Sequence, residues 1–168
     1  MPETPDCWEV LADKMIGWMD PKNHSADPIG EIAYEYWRLG KLLKSQLPPS
    51  HERQVSLRKL LESFNWAIRV RNAPQGEPRH AIDFNSIDFW MRLQANVGAS
   101  DVRQMAYQFF VVHEATLSRL GCGSLHLGLE RVQAAQLLLE SRDAAVRACL
   151  DMLAEQQKQV LSNTHERA

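Results

Sequence analysis

Apolar residues in this chain recur at intervals of three and four, and no stretch alternates as a half-buried strand would. That single periodicity restricts the fold to helices that bury one stripe each. The punctuation sets the number. Thr4-Pro5 is a cap followed by proline at the first helical position, and the stripe Trp8, Leu11, Met15 and Trp18 runs to Pro21. Asp27-Pro28 repeats the start signal for Ile29, Ile32, Tyr36, Leu39, Leu43 and Leu47, which Pro48-Pro49 ends. Ser50 caps a third helix with the stripe Leu57, Leu61, Phe64 and Ile68, and Glu52 sits at the positive end of its dipole. The short link predicts that helices two and three fold back as an antiparallel hairpin.

The run Ala73-Pro74-Gln75-Gly76-Glu77-Pro78 is the strongest internal break. Beyond it the pattern predicts a short helix from Asn85 or Ser86 carrying Ile87, Trp90, Leu93 and Val97, closed by Gly98. The next runs from Ser100-Asp101 through Val102, Met105, Phe109, Val112 and Thr116 to Gly121, followed by a turn at Gly121-Cys122-Gly123-Ser124. The last helix extends from about Leu129 to Val160 on Val132, Leu139, Val146, Leu150 and Leu153, and the tail after Ser162 is expected to fray. The expected fold is all-α: antiparallel helical hairpins packed as a five- to six-helix bundle. It forms one domain over 1–168, with a hairpin over 27–74 and a C-terminal helical part over 80–161.

Two stretches echo each other. Leu60-Leu61-Glu62-Ser63 through Arg69 is matched 78 positions later by Leu138-Leu139-Glu140-Ser141 through Arg147, and each follows a helix ending Arg-Leu-Gly. Either a helical hairpin is duplicated, or two amphipathic helices coincide.

The 168 residues suffice for one buried core, and 45% hydrophobic with 24% charged content is that of a globular chain. No run has the ~18 apolar residues of a membrane span. Three widely spaced cysteines (Cys7, Cys122, Cys149) fit reduced thiols, so a cytoplasmic protein is expected. The net charge of −2 conceals a segregation: residues 38–79 carry nine basic and three acidic side chains, a local +6 against −8 elsewhere. Such a region is either the footprint of an anionic ligand or a basic face packed on the acidic remainder of the same molecule or an oligomer mate.

Catalytic signatures are wanting. His113-Glu114 opens a zinc-protease pattern, but Leu117 stands where the second histidine is required. No paired Glu-x-x-His, phosphate loop or dinucleotide fingerprint occurs. Cys122 between two glycines reads as a turn. The basic third helix follows Pro48-Pro49 rather than a helix-turn-helix bend, which disfavours DNA binding. Neither an enzyme, a metal nor a cofactor is expected.

The segment Asp27 to Pro74 resembles the helical hairpin of phage anti-CBASS and anti-Thoeris sponge proteins. The likeness rests on Pro48-Pro49-Ser50, Arg53, Leu57, Lys59-Leu60, Glu62, Phe64, Trp66-Ala67 and Arg71-Asn72, with Gly30-Glu31-Ile32 and Leu39-Gly40 in the first arm. The resemblance implies a non-enzymatic protein of a phage, acting in a bacterial cytoplasm, that sequesters a cyclic nucleotide signal as a homo-oligomer. No tyrosine precedes the first arm, where the family's base-stacking tyrosine stands, and Trp37 with Arg38 lies near its phosphate-binding lysine. The ligand residues are therefore expected on the arms: Tyr34, Tyr36, Trp37 and Arg38 on the first, and Arg58, Lys59 and Arg69 on the second. Flat bases and phosphates call for such rings and cations together. The other reading is a helical inhibitor or adaptor that docks on a protein partner through the basic hairpin or the Trp-rich first helix.

Overall fold

The structure is a computed structural model that describes residues 5–24, 29–70, 81–94, 100–118 and 129–167. Its described residues form six α-helices and one 3₁₀ turn: α1 (Pro5–Trp18), the turn Pro21–Asn23, α2 (Ile29–Gln46), α3 (His51–Val70), α4 (Ala81–Gln94), α5 (Ser100–Ala115) and α6 (Leu129–Glu166). There is no strand among them, and the helices pack on one another as an all-α bundle. The 73–78 break, the Arg119-Leu120-Gly121 ending and the turn at Cys122 lie outside the described residues.

The proline and cap signals place most ends. Ser50 accepts the Arg53 amide at 3.1 Å and so caps α3, and Asp20 accepts the Lys22 amide at 2.9 Å to start the 3₁₀ turn. Three expected ends are corrected. Helix α4 begins at Ala81, before Asn85, α5 gives way to a turn after Ala115 rather than running on toward Gly121, and α6 stays helical to Glu166, past Ser162.

The α2 stripe is as expected: Ile32, Tyr36, Leu39, Leu43 and Leu47 are buried, as are Met105, Phe109, Val112 and Thr116 of α5. Three other stripes are turned. In α1 the buried residues are Ala12 and Ile16, continued by Met19 just beyond its end, while Leu11 and Trp18 are exposed. In α4 the core takes Phe84, Ile87 and Met91, leaving Trp90 and Leu93 outside. In α6 it takes small residues (Ala134, Ala135, Ser141, Ala144, Ala145, Ala148) with Leu138 and Cys149. The larger Val132, Leu139, Val146, Leu150 and Leu153 remain partly or wholly exposed.

The reason lies in the α3–α6 seam. These helices run antiparallel and touch through small side chains, so their backbones come close enough for hydroxyls to reach across. Ser56 Oγ donates to the Ser141 carbonyl at 2.9 Å, and Ser141 Oγ donates to the Ser56 carbonyl at 2.7 Å. Ser63 Oγ donates to the Ala134 carbonyl at 2.6 Å. A buried hydroxyl left unpaired costs about 1–3 kcal/mol, so these bonds fix the register as well as hold it. Glu52–Arg147 (3.1 Å) and Lys59–Glu140 (3.5 Å) flank the seam.

Those bonds are reciprocal under the 78-residue offset of the sequence echo: shifting Ser63 and Ala134 gives Ser141 and Ser56, which are bonded in the same sense. The described helices α1–α3 and α4–α6 follow one another in the same order, and the seam bonds repeat in the same sense about a point near Leu60 and Leu138, which makes the two halves alike in arrangement. The buried positions of α2 (32, 33, 36, 39, 40, 43) recur in α5 (105, 106, 109, 112, 113, 116). Arg53 and Arg131 are equivalent and both buried. Arg53 donates to the Lys44 and Leu47 carbonyls at 3.4 and 3.2 Å, and Arg131 to those of Leu117 and Ser118 at 2.6 and 3.0 Å. Each guanidinium satisfies carbonyls at the end of the helix preceding its own, groups that a helix leaves orphaned. Arg53 also bonds Glu9, which ties α1 to the α2–α3 turn.

Replacing Arg53 by methionine strands those carbonyls, and the variant should lose about 2–4 kcal/mol by urea unfolding. Arg131→Met should behave alike. Methionine keeps most of the side-chain volume, so the loss reports on the bonds; a loss under about 1 kcal/mol would mean they contribute little.

Candidate functional site

The expected ligand residues fall into two groups that the fold separates. On α2, the residues facing α3 are Tyr36, Leu39 and Leu43, and Tyr36 OH bonds Ser63 Oγ at 2.9 Å inside the core. Tyr36 is fully buried, with its phenol pushed up by burial, and offers no face to a ligand. Tyr34, Trp37 and Lys41 stand on the outer side of α2 at three- and four-residue steps. Tyr34 is 49% exposed, its ring 6.3 Å from the half-buried Trp37, and Lys41 Nζ lies 3.3 Å over the Trp37 ring centroid. Arg38, one position round, is held by Glu35 at 3.1 Å and by Gln108 of α5 at 3.2 Å.

On α3 the residues facing α2 are Leu57, Leu60 and Phe64, so Arg58 and Arg69 project from the far side. Both are exposed, and Arg69 lies over the ring of Trp66 at 4.9 Å. Lys59 turns toward α6, between Glu62 (3.9 Å) and Glu140 (3.5 Å). The thickness of two helices, about 20 Å, stands between the α2 set and the α3 set. The hairpin brings Tyr34, Trp37 and Arg38 to one surface; it does not bring Arg58, Lys59 or Arg69 to that surface.

Much of the +6 segregation is absorbed within the molecule. Lys44 bonds Asp13 and lies 3.6 Å from Glu9, and Arg53 bonds Glu9. The hydrogen bond from Arg53, followed by the charges of Arg53 and Lys44, holds the Glu9 carboxyl below its usual range despite the opposing effect of desolvation. The hydrogen bond to Asp13 raises Lys44. With Lys59 on Glu140, three of the nine basic residues bind acids of α1 or α6, which favours the internal-packing reading for that part of the charge. Lys41, Arg58 and Arg69 have no acid partner among the described residues. Arg71 and Arg79 lie outside the described residues.

Sequence reasoning missed the second copy of the aromatic surface. Tyr107 of α5, equivalent to Tyr34, is 50% exposed, and its ring lies 6.2 Å from Phe110, the equivalent of Trp37. Here the cation over the ring is Arg92 of α4, at 5.2 Å from the Phe110 centroid. Arg92 is already bound to Asp88 at 2.8 Å and Glu114 at 2.5 Å, so this cation is compensated, whereas Lys41 on α2 has no acid partner among the described residues. The signal was the repeat itself, visible only once α2 and α5 are aligned by burial rather than by their Arg-Leu-Gly triplets.

Asp88, His113 and Glu114 place three ligand-type atoms within 4.8 Å of one another. The surroundings fit an ion-pair network instead. A histidine that binds a metal donates its other ring N–H to an acceptor, and His113 Nδ1 is buried without one. His113 Nε2 donates to Asp88 Oδ1 at 2.8 Å, and Arg92 joins both carboxylates. Burial lowers His113 against the opposing pull of Asp88. Burial would raise Asp88, but the bonds from Arg92 and His113 outweigh it and hold the carboxyl low. His113 occupies the place of Gly40 in the first unit, where an added Cβ would stand 3.2 Å from Ile16 and Met19.

No helix among the described residues is long and apolar enough to cross a membrane. No protein family, curated protein or solved structure matches the chain.

The lowered His113 sets a pH dependence. Its folded form binds a proton less readily than the unfolded chain, so its contribution is complete above the ordinary value of 6.5 and falls as pH drops toward the lower folded value. Urea midpoints should decline from pH 7.5 to 5.5 in the native chain, and more weakly in His113→Leu. Equal declines would assign the effect to other groups.

Proposed function

We propose that the protein is a non-catalytic binder of an anionic nucleotide, which it sequesters on the outer face of α2. The observation that carries this reading is the Tyr34–Trp37–Lys41 group: a half-exposed tyrosine beside an indole, with an ammonium that no acid among the described residues neutralises. Rings of this kind stack on bases, and an uncompensated cation beside them attracts phosphate. The resemblance of residues 27–74 to the phage sponge hairpin supports a cyclic nucleotide as the ligand class. It likewise supports an anti-defence role in a bacterial cytoplasm.

In this reading Arg38 is the second cation, released to the ligand from Glu35 and Gln108, which it meets at ordinary hydrogen-bond distances. Arg58, Lys59 and Arg69 are too far round the hairpin to share the same molecule. A protein partner on the Trp-bearing faces is the competing reading.

A panel of cyclic di- and trinucleotides tests the proposal by thermal unfolding. At about 100 times its dissociation constant a ligand adds about 2.7 kcal/mol, which raises Tm by roughly 5–10 °C for a chain of this size. Lys41→Glu and Tyr34→Ala should abolish the shift, and Arg58→Glu with Arg69→Glu should leave it unchanged. If no nucleotide moves Tm, or the α3 pair abolishes the shift while the α2 variants keep it, the proposed site is wrong.

A further inference from the structure

The aliphatic stripe of α6 that fails to enter the core has a period of its own. Val132, Leu139, Val146, Leu153 and Val160 stand at every seventh position, with Gln136, Asp143, Leu150, Gln157 and Thr164 at the steps between them; Asp143 is paired with Arg142. This is the seam pattern of a helix that pairs with another helix. None of the five is buried, and Val160 is 64% exposed.

The contacts of α6 show which part of it has no intramolecular role. Helix α6 continues to Glu166, well beyond the stretch from Arg131 to Arg147 that bonds to other helices. From Ala154 onward every described residue of α6 is exposed. A helical tail of this length is marginal in water without a surface to cover. From Leu153 to Thr164 its stripe residues, with Ala154 and Leu161 beside them, carry no charge, Arg167 follows at the next seventh position, and Asp151, Glu155 and Lys158 lie on the opposite side.

On the same face of α6, within the bundle, lies a groove of about 360 Å³ against α4, lined by Ser86, Ile87, Trp90, Val132, Gln136 and Leu139 among others. The described residues of its lining carry no charge. We infer that a second copy of this chain lays its α6 tail in this groove and receives the first copy's tail in return. The geometry follows from the ends of the helix. Two α6 helices crossing antiparallel near Ala148 place each tail over residues 130–146 of the other. Val160 of one copy then meets Gln136 and Leu139 of the other, and Asn163 meets the Gln133 amide. The contact is the same from both sides and closes as a dimer, leaving no free tail or groove. It runs the length of both helices, about 50 Å. That is long enough for an interface of the usual size, about 1,200–2,000 Å². This inference stands on α4 and α6 and does not depend on the nucleotide reading.

Sedimentation of the full chain should give twice its 19.2 kDa, and Val160→Asp with Leu161→Asp should give a monomer whose bundle stays folded, with loss of helicity confined to the tail beyond Ala154 and a Tm that no longer depends on concentration, since both side chains are exposed within one chain. With Cys7 and Cys122 replaced by serine, Gln136→Cys plus Val160→Cys should oxidise to a covalent dimer, and Val160→Cys alone should not. A native chain that is monomeric at all attainable concentrations overturns the inference. So does a dimer that survives both aspartates, or a Val160→Cys variant that cross-links alone, which would place tail against tail.

Discussion

Close approach of α3 and α6 is the constraint from which the rest of the molecule follows. Alanines and serines at the seam allow the two backbones to sit near enough for Ser56, Ser63 and Ser141 to bond across it to main-chain carbonyls. A leucine-rich seam would hold the helices farther apart and break those bonds. Because the bonds are reciprocal, the seam also makes the two halves alike in arrangement. Each three-helix unit then packs its remaining pair on its own side. The larger aliphatics of α6 are left outside because the face that meets α3 is already filled by small residues.

Buried arginines make the second level of organisation. Arg53 and Arg131 occupy equivalent places and bond carbonyls at and just beyond the ends of α2 and α5, and Arg142 reaches the Trp90 carbonyl near the end of α4 at 2.9 Å. These are positive charges working as helix-end donors, where carbonyls carry the negative end of the helix dipole. A charge count along the chain assigns them to the surface. In the fold they are structural, and with them goes part of the apparent electropositive region.

The two halves differ where they meet their first helices. Gly40 lets Ile16 and Met19 of α1 press against α2. At the equivalent place His113 fills the gap and bonds Asp88 of α4. One contact is apolar, the other an ion-pair network with Arg92 and Glu114. The aromatic surfaces differ likewise: Tyr107 and Phe110 keep the ring geometry of Tyr34 and Trp37, but their cation is compensated. Of these two ring-bound cations, the one on α2 thus has no acid partner among the described residues, and that on α4 is paired.

The sequence alone determined the helical class, a count of five or six helices and the boundary between α2 and α3. Prolines, caps and glycines act over a few residues, and that information is local. It also contained the repeat, as the Leu-Leu-Glu-Ser echo. Only the tertiary structure decided which face of α6 is core, because alanine and serine carry no strong apolar signal and become core only when a partner helix is close. It decided, too, that Tyr36 and Arg53 are interior while Tyr34 and Lys41 face outward, and that Arg58 and Arg69 lie across the hairpin from them. Helical spacing gives a residue's angle about its own axis. Which angle faces solvent depends on where the neighbouring helices stand, and that is fixed by contacts between residues far apart in the chain.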